Sequence, residues 1–185
     1  MKVGVFVGSF NPIHIGHEKI IKLLLDKKIV DKVIVIPTLS YWDKSIDVRL
    51  QDRINMLKII ENENILINTT LNTKEYTYQV LNELSKEYND LYLIIGADNI
   101  ANFDKWKNVE EILNHHVIVV GRNNININNY LSKFDKSKFI IVESNYEISS
   151  TEIRKIIKNN DYSALKEIVN NKVIEYIKTN KIYLE

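Results

Sequence analysis

The sequence predicts an α/β fold: a parallel sheet with helices packed on both of its faces. Three observations carry that prediction. Residues 2–7 (KVGVFV) and 32–37 (KVIVIP) are short apolar runs without the alternation of a strand that has one wet face. Segments between such runs place apolar residues at helical spacing. The two kinds of segment alternate along the chain, which is the signature of strands joined by crossover helices.

The elements follow in order. Residues 2–7 form the first strand, and residues 17–28 a helix with Ile20, Ile21, Leu24 and Leu25 on one side and Lys22 opposite. Residues 32–37 form a second strand that ends at Pro37. Residues 48–61 read as an amphipathic helix with Asp47 as its N-cap. A strand at 65–68 leads to a helix at 77–88 capped by Thr77. A strand at 91–96 ends in Gly96, and a short helix at 109–114 precedes a strand at 116–121. The last strand is 139–142, and helical segments at 150–160, 163–170 and 172–179 make a small helical C-terminal part. The Asn-rich stretch 123–130 reads as a surface loop.

The composition bounds the function. The chain has 185 residues, enough for one domain over 1–185 with a sizeable core. Hydrophobic residues are 45% and charged residues 26%, an ordinary globular balance. A net charge of +1 gives no basic field for a nucleic acid partner. Cysteine is absent, which excludes disulfides and thiolate zinc sites and fits a cytoplasmic location. No apolar run approaches the ~20 residues of a membrane span, so no membrane partner is expected, and the N-terminus lacks the apolar region of a signal peptide. The oligomeric state is not readable, and a homo-oligomer stays open.

In parallel α/β sheets ligands bind beyond the carboxyl ends of the strands, where the strand order reverses. The loops after the first, second, fourth and last strands are therefore expected to carry the chemistry. After the first strand, residues 8–17 read GSFNPIHIGH. Gly8 gives a tight exit, Pro12 stiffens the turn, and Gly16 allows a flat ligand near the backbone. His14 and His17 stand three apart at a helix start, where free N–H groups and the helix dipole favour phosphate. After the last strand, residues 147–155 read EISSTEIRK. Ser149, Ser150 and Thr151 can cap a helix, and Arg154 lies about one turn on, a second seat for phosphate. Two such seats suit a nucleoside triphosphate. The histidine pair also fits a metal, although only Glu18 is near as a third ligand, or a structural cap.

GSFNPIHIGH resembles the Gly-x-Phe-x-Pro-x-His-x-Gly-His signature of the nucleotidyltransferase superfamily with a His-x-Gly-His motif, and ISSTEIR at 148–154 resembles its Ile-Ser-Ser-Thr-x-Ile-Arg motif. YTYQVLNEL at 76–84 and YLIIGADNIANFDKWKNVEEIL at 92–113 resemble segments of the bacterial nicotinate-nucleotide adenylyltransferases. The resemblance implies a Rossmann-like, doubly wound sheet. It implies adenylyl transfer from ATP to nicotinate mononucleotide in NAD biosynthesis, with Mg2+ held mainly by ATP. ATP and a pyridine mononucleotide are then the partners. The residues it assigns to catalysis are His14, His17, Lys44 and Arg154. ATP would meet these histidines and Arg154, together with Gly8, Ser9, Phe10, Gly16, Gly96, Asp98, Ser149, Ser150 and Thr151. The mononucleotide would meet Ser9, Lys44, Thr77 and Trp106. Two departures bear on the acceptor. Residues 40–44 read SYWDK where the family shows Pro-Pro-His-Lys, and Asp104 replaces a proline before Lys105-Trp106. Transfer to nicotinamide mononucleotide or another phosphate acceptor is the alternative.

Overall fold

The computed structural model describes residues 1–39, 48–121, 126–146 and 148–184. The strands are β1 (Lys2–Gly8), β2 (Lys32–Pro37), β3 (Ile65–Ile67), β4 (Asp90–Gly96), β5 (His116–Gly121) and β6 (Phe139–Glu143). The helices are α1 (Ile15–Asp26), α2 (Leu50–Lys58), α3 (Thr77–Leu84), α4 (Ala97–Ile100), α5 (Val109–Ile112), α6 (Ile127–Leu131), α7 (Ser150–Lys158) and α8 (Asn171–Asn180). The strand order is β3-β2-β1-β4-β5-β6, every neighbour parallel. The chain winds outward from β1 in one direction and returns to β4 to wind in the other. The reversal lies between β1 and β4, which pair from Lys2 with Asp90 to Phe6 with Ile94.

The unalternated strands are buried on both faces, as their apolar runs demand. Val33, Val35, Ile94, Ile118 and Val120 pack against Ile21 and Leu24 of α1, Met56 and Leu57 of α2, Ile153 and Ile157 of α7, and α8. Val3, Val5, Ile34, Ile36, Leu93 and Val119 face the other layer, with Val80, Leu81 and Leu84 of α3 and the shorter helices after β4. Successive side chains of a strand point to opposite faces, so Val33 and Ile34 serve different cores.

Several boundaries differ from the sequence-based expectation. Helix α1 starts at Ile15 with His14 as its N-cap, which puts His17 inside the first turn. Helix α2 is shorter than 48–61, its N-cap is Arg49, and Asp47 lies outside the described residues. Tyr76 caps α3, and Thr77 is its first helical residue. Residues 163–170 form turns rather than a helix. Their bonds are mostly to the third residue back, as from Ile168 to Leu165, and the Ile168 carbonyl instead accepts the N–H of Ile15 at 3.0 Å. That bond satisfies one of the orphan donors at the start of α1. Part of the expected loop at 123–130 is helical, because Ile127 and Leu131 anchor α6 in the core.

Candidate active site

The turn after β1 is built differently from its glycine count. Gly8 remains in β1, paired with Pro37, and the left-handed residue is Phe10, at φ 46°. A side chain at Gly8 would meet the Phe10 ring, 3.2 Å from a built Cβ to Cζ. Phe10 is 3% exposed and packs edge-on against Phe6 and His17, at centroid distances of 5.3 and 5.1 Å. Its ring therefore braces His17 from behind. Gly16 is explained by a neighbouring side chain: a Cβ there would sit 3.0 Å from the His14 ring. The flat group against this backbone is His14 itself.

The two imidazoles are stacked, centroids 3.7 Å apart and planes 28° from parallel. His14 is 5% exposed, and His17 is half-buried. The N–H of His14 donates to Nδ1 of His17 at 3.3 Å. An imidazole nitrogen that accepts carries no proton, so the neutral His17 ring holds its proton on Nε2. The stacked imidazoles and the N-cap lie at the start of α1, where the helix dipole favours phosphate oxygens.

The second motif lies against the first. Ser149 caps α7, its hydroxyl accepting the N–H of Glu152 at 3.2 Å. Ser150 Oγ donates to the Pro12 carbonyl at 2.9 Å, and Arg154 Nη1 donates to the Asn11 carbonyl at 2.8 Å. A second Arg154 nitrogen reaches Thr151 Oγ1 at 3.3 Å. Asn11, 2% exposed, also accepts the Tyr183 hydroxyl at 2.6 Å. Burial pushes the Tyr183 pKa far above the ordinary phenol value, so the hydroxyl is a fixed donor. The start of α7 is thus fastened to the turn that leads into α1.

At the β1/β4 reversal is a cavity of about 1010 Å3, lined by residues of both strands. Gly8, Thr38, Thr77, Gly96, Asn99 and Trp106 are among the residues that line it. Trp106 stands 5.3 Å from the buried Phe103 ring, which fixes it in place. Among the described residues, Lys74, Lys105 and Lys107 also line the cavity, against one carboxylate, Glu75. Asp98 is exposed in the first turn of α4, immediately after Gly96. Ser9 is exposed beyond the end of β1. Lys44, with Tyr41 and Trp42, lies outside the described residues. Asp104, where the family has a proline, is bonded to Lys133 Nζ at 2.8 Å, and this bond lowers its pKa.

The structure thus brings His14, His17, Ser149, Ser150, Thr151 and Arg154 to one junction. It places Gly8, Gly96, Thr77 and Trp106 around the adjoining cavity. Sequence reasoning missed Arg53, Asn11 and Tyr183. Arg53 is 2% exposed and donates through Nη1 to the carbonyls of Ser9 at 2.7 Å and Thr38 at 2.9 Å. The available signal was its position. Arg53 lies three residues after Leu50 and four before Leu57, on an apolar helix face where an arginine is out of place.

The cytidylyltransferase-like family model matches residues 5–156, from β1 through the α7 motif. The chain belongs to the cytidylyltransferase-like family. Two relatives narrow the branch. A protein of Acholeplasma laidlawii named "Probable nicotinate-nucleotide adenylyltransferase" is 34% identical over 98% of this chain and 97% of its own. One of the same name from Fusobacterium nucleatum is 36% identical over 98% of this chain and 100% of its own. The resemblance to the nicotinate-nucleotide adenylyltransferases of this family is therefore borne out along the whole chain. A solved structure of Plasmodium falciparum nicotinic acid mononucleotide adenylyltransferase complexed with NaAD has the same fold. Its TM-score is 0.83 at 23% identity, covering 98% of this chain and 97% of that one.

Proposed function

We propose that this chain transfers the adenylyl group of ATP to nicotinate mononucleotide, giving nicotinate adenine dinucleotide and pyrophosphate. The observation that carries the reading is the meeting of two phosphate-competent helix starts, α1 and α7, beside a nucleotide-sized cavity at the reversal of strand order. The full-length relatives named for this activity support it.

In this reading the phosphate oxygen of the mononucleotide attacks the α-phosphorus of ATP. A new P–O bond forms, the α–β bridging P–O bond breaks, and pyrophosphate leaves with the electron pair. The attacking phosphate has a second pKa of about 6, so it is anionic near neutrality and needs no general base. The barrier is charge repulsion, and the protein's task is alignment and charge stabilisation. His17 offers its Nε2 proton to a phosphate oxygen, and His14, stacked on it, is assigned a second phosphate contact. The N–H groups at the start of α7, with Ser149, Ser150, Thr151 and Arg154, hold the outer phosphates. Lys44 is assigned a further phosphate contact, and Ser9 stands on the acceptor side. Gly96 and Asp98 take the ribose or adenine side of ATP.

Among the described residues no group of three or more His, Asp or Glu side chains is placed to hold a metal. Magnesium, held mainly by the ATP phosphates and its own waters, would offset phosphate charge. Trp106 provides a face for the pyridine ring, with Thr77 beside it. The three lysines around the cavity favour an acceptor with an extra carboxylate over its neutral amide. Residues 1–185 are read as one nucleotidyltransferase unit, since α8 shares a core with β1's neighbours. Among the described residues no helix is long and apolar enough to cross a membrane, and we place the enzyme in the cytoplasm.

The test is pyrophosphate release with magnesium ATP and each acceptor in turn. Release with nicotinate mononucleotide, at least about tenfold more efficient than with nicotinamide mononucleotide, is expected. Equal or better use of the amide reassigns the acceptor, and release with neither overturns the activity.

A further inference from the structure

Arg53 is a buried cation without a counter-ion among the described residues. It is 2% exposed, makes no ion pair among the described residues, and its Nε has no hydrogen-bond partner there. The neighbouring Asp52 is engaged by Arg49 at 3.0 Å and by the Tyr176 hydroxyl at 2.9 Å. Buried charges are ordinarily paired, because removal from water is costly. Burial pulls the Arg53 pKa below the usual guanidinium value, yet an arginine stays protonated at any physiological pH. The positive charge therefore persists, directly beneath the ends of β1 and β2.

Its two bonds go to carbonyls at those ends, Ser9 and Thr38. A trans peptide is planar, with its C=O and N–H pointing in opposite directions. Drawing the Ser9 carbonyl inward turns the Phe10 N–H outward. That N–H takes no backbone acceptor among the described residues. Phe10 itself sits at φ 46°, a conformation that non-glycine residues adopt at a cost, so it needs such a restraint. Thr38 and Gly8 line the same cavity as Thr77 and Trp106, the residues assigned to the acceptor.

We propose that Arg53 is a positioning residue for the acceptor's phosphate: it orients the Ser9–Phe10 peptide toward that phosphate and lends it a buried positive charge that no carboxylate among the described residues pairs. The inference rests on the adenylyl-transfer reading for the identity of the anion. It assigns no direct contact to Arg53.

Direct binding by titration calorimetry tests it apart from turnover. Nicotinate mononucleotide and, separately, magnesium ATP are titrated into wild type, Arg53→Met and Arg53→Lys, with folding checked by circular dichroism. Arg53→Met is expected to weaken mononucleotide binding by about tenfold or more while ATP affinity changes less than about twofold. Arg53→Lys keeps the charge but not the fork, and is expected to fall between them. If Arg53→Met does not fold, Arg53→Lys decides by the same split. Equal losses for both ligands, no loss for the mononucleotide, or no mononucleotide binding by wild type overturns the proposal. Absence of pyrophosphate release by a wild type that binds both ligands, with the split intact, overturns the reaction and leaves the role of Arg53 standing.

Discussion

Ser150 Oγ donates to the carbonyl of Pro12 at 2.9 Å, across 138 positions of sequence. With the Arg154 bond to Asn11, it joins the last motif to the first and sets the starts of α1 and α7 at one junction. Each bond uses a backbone carbonyl of the turn as acceptor, so the turn's own conformation depends on the distant helix. The chemistry proposed here follows from that fastening.

His17 is the accessible member of the stacked pair, with its proton on Nε2. His17→Ala is expected to lower kcat by about 10²–10³, the usual loss for one donor to transition-state charge. ATP affinity and the unfolding midpoint should change little. Steady-state kinetics with circular dichroism as the folding control measures this, and near-normal turnover removes His17 from the mechanism.

Arg154 divides its guanidinium between the Asn11 carbonyl and Thr151. Arg154→Ala is expected to weaken ATP binding by about tenfold, since a charge-assisted hydrogen bond contributes about 1.5–3 kcal/mol. Loss of the strut to the turn should also lower turnover. Fluorescence titration of ATP, followed by kinetics at saturating ATP, separates the two effects.

Trp106 lines the acceptor cavity and is held by Phe103. Trp106→Ala is expected to raise the KM for nicotinate mononucleotide by about tenfold, with the KM for ATP within about twofold. Parallel increases in both constants would show that the ring supports the cavity without facing the pyridine.

Glu18 gives a pH dependence of stability. Burial raises its pKa above the ordinary 4.5, while a hydrogen bond from Asn170 acts the other way, and its Oε1 has no partner among the described residues. The folded state therefore holds this proton more tightly than the unfolded state. The contribution to stability is full below pH 4.5 and is lost as pH rises through the elevated folded value. The α1 dipole favours the charge by about 0.3–1 kcal/mol, less than the burial penalty of a carboxylate. Glu18→Gln is thus expected to raise the thermal midpoint at pH 7, with the gain vanishing toward pH 4. Thermal melts across that range check it, and a loss at pH 7 contradicts the assignment.

The strands and their parallel arrangement were legible because a strand covered on both faces must be apolar throughout, as in β2 and β5. The two motifs were legible because glycines, histidines and helix-capping hydroxyls have few other reasons to cluster. The internal wiring of the turn was not. Gly8 and Gly16 suggested backbone freedom, but they are small because the rings of Phe10 and His14 occupy the space beside them. The left-handed residue is a phenylalanine, which no turn preference anticipates. Arg53 was hidden for the same reason. Its partners are backbone carbonyls 44 and 15 residues away, and backbone atoms leave no trace in sequence. Residues 163–170 had helical composition, but tertiary contact with Ile15 decided otherwise.

Two distant motifs together form one seat for a triphosphate in the proposed reaction. A crystal structure of the chain with magnesium and a non-hydrolysable ATP analogue tests it most directly. Phosphate oxygens are expected within about 3.2 Å of both His17 Nε2 and the N–H groups at the start of α7, with the α-phosphorus open toward the Trp106 cavity. A triphosphate touching only one of the two helix starts, or lying outside the β1/β4 reversal, would contradict it.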